Sequence, residues 1–340
     1  MPKKVFLTGA SGLLGNNLAR ELVARGDQVT AFVLPQESTK FLENQPLIDI
    51  RKGNLINYNE VLNAMQGCDS VIHAGANTTV SPARHPMIYQ VNVLGTRNVI
   101  DAALATGVRK MVNVATANIF GYGTLQNPGD ETCPFNCGHF GLDYQSSKLE
   151  AYQELQLAVK NRELPATTIC PTFMLGDFDT KPSSGAMLIS LLQGKIPGYT
   201  SGGRNYIHVR DVAVGTVNAL EYGRIGEAYI LGHRNMDYKS AFELMLREMD
   251  INRRMPAIPD VGVKLFGALS SALAYIKGSN PTISYKMARI GCAGFYYSSE
   301  KAIRELQLPQ TPIETAIRDA MQWFGEHGYL SKGKIPTKLD

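Results

Sequence analysis

The stretch that most constrains this chain is Thr8-Gly-Ala-Ser-Gly-Leu-Leu-Gly15, three glycines at a spacing of three, set directly after the short apolar run Lys3-Lys4-Val5-Phe6-Leu7. An amphipathic segment follows as far as Arg25 and stops at Gly26. That order predicts strand, tight turn and helix. Gly9, Gly12 and Gly15 permit the turn, let an anion approach backbone N–H groups, and let the helix pack closely on the strand. A glycine triplet alone says little. Here it lies at the start of a strand–helix unit, and a second apolar strand, 28–34, comes next, which is the context a dinucleotide pyrophosphate requires.

The alternation continues through a strand ending at Gly53-Asn54-Leu55, a helix over 58–65, the apolar strand 70–76, a helix over 90–106 and a strand over 110–116. Strands taking turns with helices predict an α/β chain with a Rossmann, doubly wound parallel sheet. After Pro171 the pattern loosens into glycine- and proline-rich connections, and apolar strands resume at 206–209 and 228–231. The expected division is therefore a dinucleotide domain of residues 1–170 plus 206–235, with a smaller, discontinuous C-terminal substrate part of 171–205 plus 236–340. His208 and Asp211 are expected to pin the return, the first through a backbone hydrogen bond and the second as a helix N-cap.

Charge and composition narrow the function. A net charge of +4, without a basic stripe interleaved with aromatics, argues against nucleic acid as a partner. Five cysteines fit a reducing compartment, and Cys133 and Cys137 lack zinc spacing, so no metal is expected. The N-terminus enters a strand at once, so the expectation is a cytoplasmic protein. The apolar segment 261–276 is short for a span and carries Lys264; a buried or pocket-lining helix is expected there, with membrane association as the alternative. Among the aromatics Tyr275, Tyr285, Phe295, Tyr296 and Tyr297, core positions are favoured over a substrate pocket.

The candidate chemistry centres on Tyr144 and Lys148, a phenol and an ammonium one helical turn apart. A nearby cation favours the phenolate and would bring the tyrosine toward neutral pH, where it could act as a general acid/base. Thr116 stands at the carboxyl end of a strand, where ligands of such sheets bind. Gly75 would let backbone approach a cofactor, Asn54 could take an adenine amino group, and His73 inside an apolar strand reads as a satisfied core residue. Val33-Leu34-Pro35 ends the second strand with neither an acid for a ribose hydroxyl nor an arginine for its phosphate. With no acid to repel a phosphate, and Lys40 following, NADP(H) is the favoured cofactor and NAD(H) the alternative.

Together, the glycine turn, Asn92 in Val-Asn-Val-x-Gly-Thr, Thr116 in Ala-Thr-Ala-Asn-Ile-Phe-Gly121, Tyr144-x-x-x-Lys148, Pro171-Thr-Phe-Met-Leu-Gly176 and Tyr206-Ile-His-Val-Arg-Asp211 resemble the extended short-chain dehydrogenase/reductase family. Gly226-Glu-Ala-Tyr-Ile-Leu-Gly232 and the segments after it look most like its dihydroflavonol-reductase-like branch. The resemblance implies Tyr144 as general acid/base, Lys148 lowering its pKa and holding the nicotinamide ribose, Thr116 donating to the substrate oxygen, and Asn92 positioning backbone or water near Lys148. It implies a cofactor cradle of Gly9, Ser11, Gly12, Leu13, Leu14, Gly15, Lys40, Asn54, Leu55, Ala74, Gly75, Ala76 and Pro171, besides Tyr144 and Lys148. It also implies a small-molecule substrate and a homodimer paired through the helices bearing Asn92 and Tyr144. Cys170, Arg210 and Asn54 depart from the family pattern without removing a catalytic group. The expected activity is hydride transfer between NADP(H) and a carbonyl or secondary alcohol. A nucleotide-sugar epimerase with bound NAD is the alternative: Arg204 favours it, while Asp177 would repel a diphosphate. A non-catalytic NADP-binding protein is less expected, because the Thr116, Tyr144 and Lys148 set is intact.

Overall fold

The structure, a computed structural model, describes residues 2–277, 281 and 283–330. The first half alternates β1 (Lys4–Thr8), α1 (Leu13–Ala24), β2 (Gln28–Val33), β3 (Ile48–Lys52), α2 (Tyr58–Met65), β4 (Ser70–His73), α3 (Pro86–Tyr89), α4 (Gly95–Thr106), β5 (Lys110–Val114), α5 (Asp143–Arg162) and β6 (Ala166–Pro171). There follow β7 (Phe173–Leu175), α6 (Ala186–Leu192), β8 (Gly203–His208), α7 (Val209–Tyr222), β9 (Ala228–Leu231), β10 (Arg234–Asp237), α8 (Tyr238–Glu248), α9 (Asp260–Lys277), α10 (Tyr285–Gly291), β11 (Gly294–Phe295), α11 (Glu300–Leu306) and α12 (Ile313–Glu326).

Seven strands form one sheet in the order β3-β2-β1-β4-β5-β6-β9, every pair parallel. Its strands read as near-continuous apolar runs because both faces are covered. On one side α1 and α7 bury Leu18, Leu22, Val212 and Val217 against Val5, Leu7 and Ile72. On the other, α2, α4 and α5 bury Val61, Met65, Val99 and Leu155 against Phe6, Val71 and Met111. Each such side chain contributes roughly 1.5–3 kcal/mol on burial. The strand order reverses between β1 and β4, which opens a crevice at their carboxyl ends.

The boundary of the second part differs from the sequence expectation. Residues 206–208 do not rejoin the large sheet: they belong to β8, which pairs with β7, β10 and β11 in a separate small sheet. The chain returns at α7, one element later, because Leu175, Tyr206 and Met236 are claimed by the core that α6, α8 and α12 share. α11 also crosses back, with Ala302 and Leu306 joining the core of α1 and α7 and the Asn218 side chain donating to the Leu306 carbonyl at 2.8 Å. The roles of His208 and Asp211 are likewise exchanged. His208 Nδ1 accepts from the Arg210 N–H at 3.1 Å and caps α7, whereas Asp211 accepts from both the N–H and hydroxyl of Thr311 at 2.7 Å.

The helix expected to be buried is exposed. Among the described residues of α9 only Gly267 and Ala274 face fully inward, and small residues there let α10 come close, since a Cβ on Gly267 would lie 2.7 Å from the Ala288 Cβ. Of the five aromatics, Phe295, Tyr296 and Tyr297 are buried, while Tyr275 and Tyr285 are exposed. Among the described residues no helix is long and apolar enough to cross a membrane. Residues 331–340 of the expected substrate part lie outside the described residues.

Candidate active site

The glycine turn is enforced by packing as well as conformation. Gly9 has φ +70°, and a Cβ there would sit 2.7 Å from the Gly75 backbone. A Cβ on Gly15 would lie 2.0 Å from the Gly9 carbonyl oxygen. Gly12 meets nothing closer than that carbonyl, at 3.5 Å, so the space beside it is free for a ligand. No side chain caps α1 and no acid occupies its first turn. The N-terminal amides, with the positive end of the helix dipole, therefore suit a pyrophosphate, and the residues present fit a dinucleotide.

Beside this turn a directional hydrogen-bond chain locks β1, β4 and α4 together. The Thr8 hydroxyl accepts from Gly75 N–H at 2.9 Å and donates to His73 Nδ1 at 2.8 Å. His73 Nε2 donates to the Thr96 hydroxyl at 3.0 Å, and Thr96 donates to the Asn92 carbonyl at 2.6 Å. Burial, with the Lys148 charge second, pulls His73 down to about 3, so the ring is neutral and the chain has one consistent direction. His73 is thus the satisfied core histidine expected from the sequence. Leu55 packs against Gly75, a Cβ there lying 2.8 Å from the Leu55 Cδ1, and Ala74 and Ala76 flank it on the same strand end. Asn54 instead turns its side-chain oxygen onto the Ile56 N–H at 3.2 Å.

The candidate reacting groups come from the next strand and from α5. Thr116 caps the short turn after β5, and its hydroxyl lies near enough to the Tyr144 phenol to favour the phenolate. Lys148, one turn further on, is buried and donates to the Val114 carbonyl at 2.8 Å. Burial pulls its ammonium down to about 8. Tyr144 differs from expectation: burial raises its pKa, and the influence in the opposite direction is the Thr116 hydroxyl, not Lys148. Desolvation prevails because the ammonium is directed at Val114. The phenol is consequently protonated at neutral pH.

Asn92 lies in a π turn, Gln90–Leu94. Its side chain accepts from Asn77 N–H at 2.7 Å, donates to the Asn77 carbonyl at 3.0 Å, and donates to the Ser147 hydroxyl at 3.0 Å. Ser147 in turn donates to the Tyr144 carbonyl at 3.0 Å. Asn92 therefore fixes the first turn of α5 through Ser147, the neighbour of Lys148, rather than touching Lys148 directly. Ser147 escaped the sequence analysis because a serine inside a Tyr-x-x-x-Lys helix carries no signal of its own.

Three further features were illegible in the chain. Glu37 stands three residues past the expected acid position, beyond Leu34-Pro35, yet its carboxylate accepts from the Ser11 hydroxyl at 3.3 Å and pairs with Lys181. An acid is therefore present at the glycine turn, contrary to expectation, while Lys40 is exposed with its ammonium 5.5 Å from the Phe41 ring. Residues 177–181 strap this turn from the second part: the Asp177 carbonyl accepts from Asn17 at 3.1 Å and the Thr180 hydroxyl donates to the Ser11 carbonyl at 3.0 Å. The Asp177 carboxylate is held by Arg210 at 2.7 Å, which removes the expected repulsion of a diphosphate. Finally, the Tyr297 hydroxyl donates to Asn118 Oδ1 at 2.9 Å, bringing a wall of the second part to within two residues of Thr116.

A parallel sheet with an anion cradle, and a tyrosine, a lysine and a hydroxyl at neighbouring strand ends, define a nucleotide-dependent oxidoreductase of the Rossmann type. Residues 5–232 match the NAD dependent epimerase/dehydratase family, and the chain belongs to it. The chain is 31% identical over 335 residues to a Synechocystis sp. protein named as a dihydroflavonol 4-reductase, covering 96% of this chain and 95% of that one. It is 26% identical to sterol demethylase protein B of Methylococcus capsulatus, covering 96% and 99% respectively. The crystal structure of gox2253 superposes with a TM-score of 0.84 at 29% identity, covering 97% of this chain and 100% of that one.

Proposed function

We propose that this protein is a reductase moving hydride between a nicotinamide dinucleotide and the carbonyl or secondary alcohol of a small, largely apolar organic molecule. The observation that carries the proposal is the Tyr144 phenol beside the Thr116 hydroxyl, one turn from buried Lys148, at the strand ends that border the glycine turn. Bound cofactor supplies or accepts the hydride. Thr116 orients the substrate oxygen by hydrogen bonding. Tyr144, held protonated by burial, gives its proton to that oxygen as the carbonyl is reduced, and takes it back in the reverse direction. Lys148, whose pKa burial lowers to about 8 and whose ammonium is directed at the Val114 carbonyl, would hold the cofactor ribose rather than set the pKa of Tyr144. The relative named for a sterol and the buried aromatics Phe295 and Tyr297 support an apolar substrate.

Val33-Leu34-Pro35 without an acid, followed by Lys40, favours NADP(H) on sequence grounds. Glu37 against Ser11 supports NAD(H) instead, since a carboxylate there suits a ribose 2′-hydroxyl and opposes a 2′-phosphate. The homodimer implied by family resemblance remains part of the proposal.

The test is oxidation of NADH and NADPH against a panel of ketones and aldehydes. Tyr144→Phe is expected to lower turnover by roughly 10²–10⁴-fold while the dinucleotide still binds. Undiminished turnover in that variant would remove Tyr144 from the mechanism. One observation favours the epimerase reading: Arg204 lies between the rings of Phe173 and Phe295 at 5.2 and 5.3 Å, has no carboxylate partner among the described residues, and leaves its Nε unbonded. Tightly bound oxidised cofactor in the purified protein, with turnover of a nucleotide sugar, would establish that reading in place of the reductase.

A further inference from the structure

The outer face of α9 is apolar where a soluble helix is ordinarily charged. Val261, Leu265, Leu269, Leu273 and Ile276 recur at helical spacing, and they are 77%, 59%, 60%, 55% and 80% exposed. Phe266 and Tyr275 extend the same surface. Lys264 is the one charged residue between positions 261 and 276, and it is half-buried. A solvent-facing stripe of this length without a charge marks an interaction surface.

Charge identifies the partner. Residues 261–291 contain Lys264, Lys277, Lys286 and Arg289 and no acid. The whole chain has 34 basic and 30 acidic residues, so this one segment accounts for its entire net charge of +4, and the remainder balances. Asp260 in the first turn of α9 offsets Lys264, and an apolar stripe whose remaining flanking charges are cations is the pattern of a helix lying in a bilayer interface over anionic headgroups. A self-associating face has no such need of uncompensated charge.

Position gives the surface a use. α9 packs on α10, and α10 is fastened to the loop that leads into α5: Lys286 donates to the Gly141 carbonyl at 2.6 Å and Arg289 to the His139 carbonyl at 3.0 Å. Immediately after α10 come Phe295 and Tyr297, the latter bonded to Asn118 beside Thr116. α9 is therefore joined through α10 to the segment that forms the wall beside Thr116.

We propose that α9 docks this protein on an anionic lipid surface, lying in the interface with its Leu265, Leu269 and Leu273 side chains among the acyl chains. Docking stands independently of the reaction. Its corollary, that an apolar carbonyl substrate reaches Tyr144 from the bilayer, rests on the reductase reading.

The experiment is co-sedimentation of the full-length protein with vesicles of phosphatidylglycerol and phosphatidylethanolamine, and with vesicles of phosphatidylcholine alone. The protein is expected to partition onto the anionic vesicles, weakly onto the neutral ones, and less in salt of about 0.5 M. The triple variant Leu265→Glu, Leu269→Glu, Leu273→Glu is expected to lose roughly tenfold or more of that partitioning, with its thermal midpoint and dinucleotide binding retained. Leu269→Trp provides a readout free of any folding loss: its emission is expected to shift to the blue when anionic vesicles are added. Absence of partitioning and of a blue shift would overturn the proposal. So would a wild-type oligomer that falls apart in the triple variant, which would assign the face to a second copy of the chain. Because vesicle binding is read without substrate, failure of docking and failure of the reductase reading are separate results.

Discussion

At the glycine turn, Thr8, His73 and Thr96 form a closed hydrogen-bond chain with no contact longer than 3.0 Å, and Gly9 and Gly15 leave no room for a methyl group. On α9, Leu265 and Leu269 are exposed, and among the described residues of that helix only Gly267 and Ala274 are committed to the interior. The first region has a single workable sequence at most positions because backbone meets backbone there. The second is under almost no internal constraint, so its apolar character answers to something outside the fold. Tight internal packing and outward-facing composition are thus two different records of function, one of a bound nucleotide and one of a surface.

The contrast can be broken most strongly at His73. Its folded pKa of about 3 lies below the ordinary 6.5, so the unfolded chain takes up a proton that the folded chain refuses. Stability contributed by the neutral ring is fully present above pH 6.5 and falls as the pH drops toward 3, by roughly 5 kcal/mol at the limit. Urea titrations across that range should show this slope, and His73→Gln should flatten it; an unchanged slope would place the acid sensitivity elsewhere.

Gly15→Ala comes next. Its methyl would meet the Gly9 carbonyl at 2.0 Å, so a loss of about 3 kcal/mol is expected together with weakened dinucleotide binding. Calorimetry with and without cofactor measures both, and a variant as stable as the parent would show that the turn can relax. The three glutamates placed on α9 are the matching change on the other side, and they should leave the thermal midpoint nearly untouched. The smallest effect is expected at Glu37→Gln, which should move the ratio of NADPH to NADH affinity roughly tenfold toward NADPH. A ratio that stays fixed would leave Glu37 as a partner of Ser11 and Lys181 only.

Much of this protein was legible in its residues. Strand and helix alternation gave the parallel sheet because period and glycine spacing are local properties, and the helix 58–65 is reproduced residue for residue as α2. Thr116, Tyr144 and Lys148 stood out because residue type at short spacing along strand ends and one helix face is visible in a sequence, and the structure places them near one another. Contacts across the fold were not. The Asn92 to Ser147 bond spans 55 positions, Thr180 reaches Ser11 across 169, and Tyr297 reaches Asn118 across 179.

What the sequence determined by itself was the class of fold and which residues to propose for the chemistry. The tertiary structure decided how those groups are charged and what surrounds them. Burial, which no window of residues reports, raised Tyr144 against the expected help of Lys148 and pulled Lys148 toward neutrality. Burial was also what distinguished α9: an apolar helix in sequence is a core element or a surface element according to what packs on it, and here α10 covers one narrow side and leaves the rest facing outward.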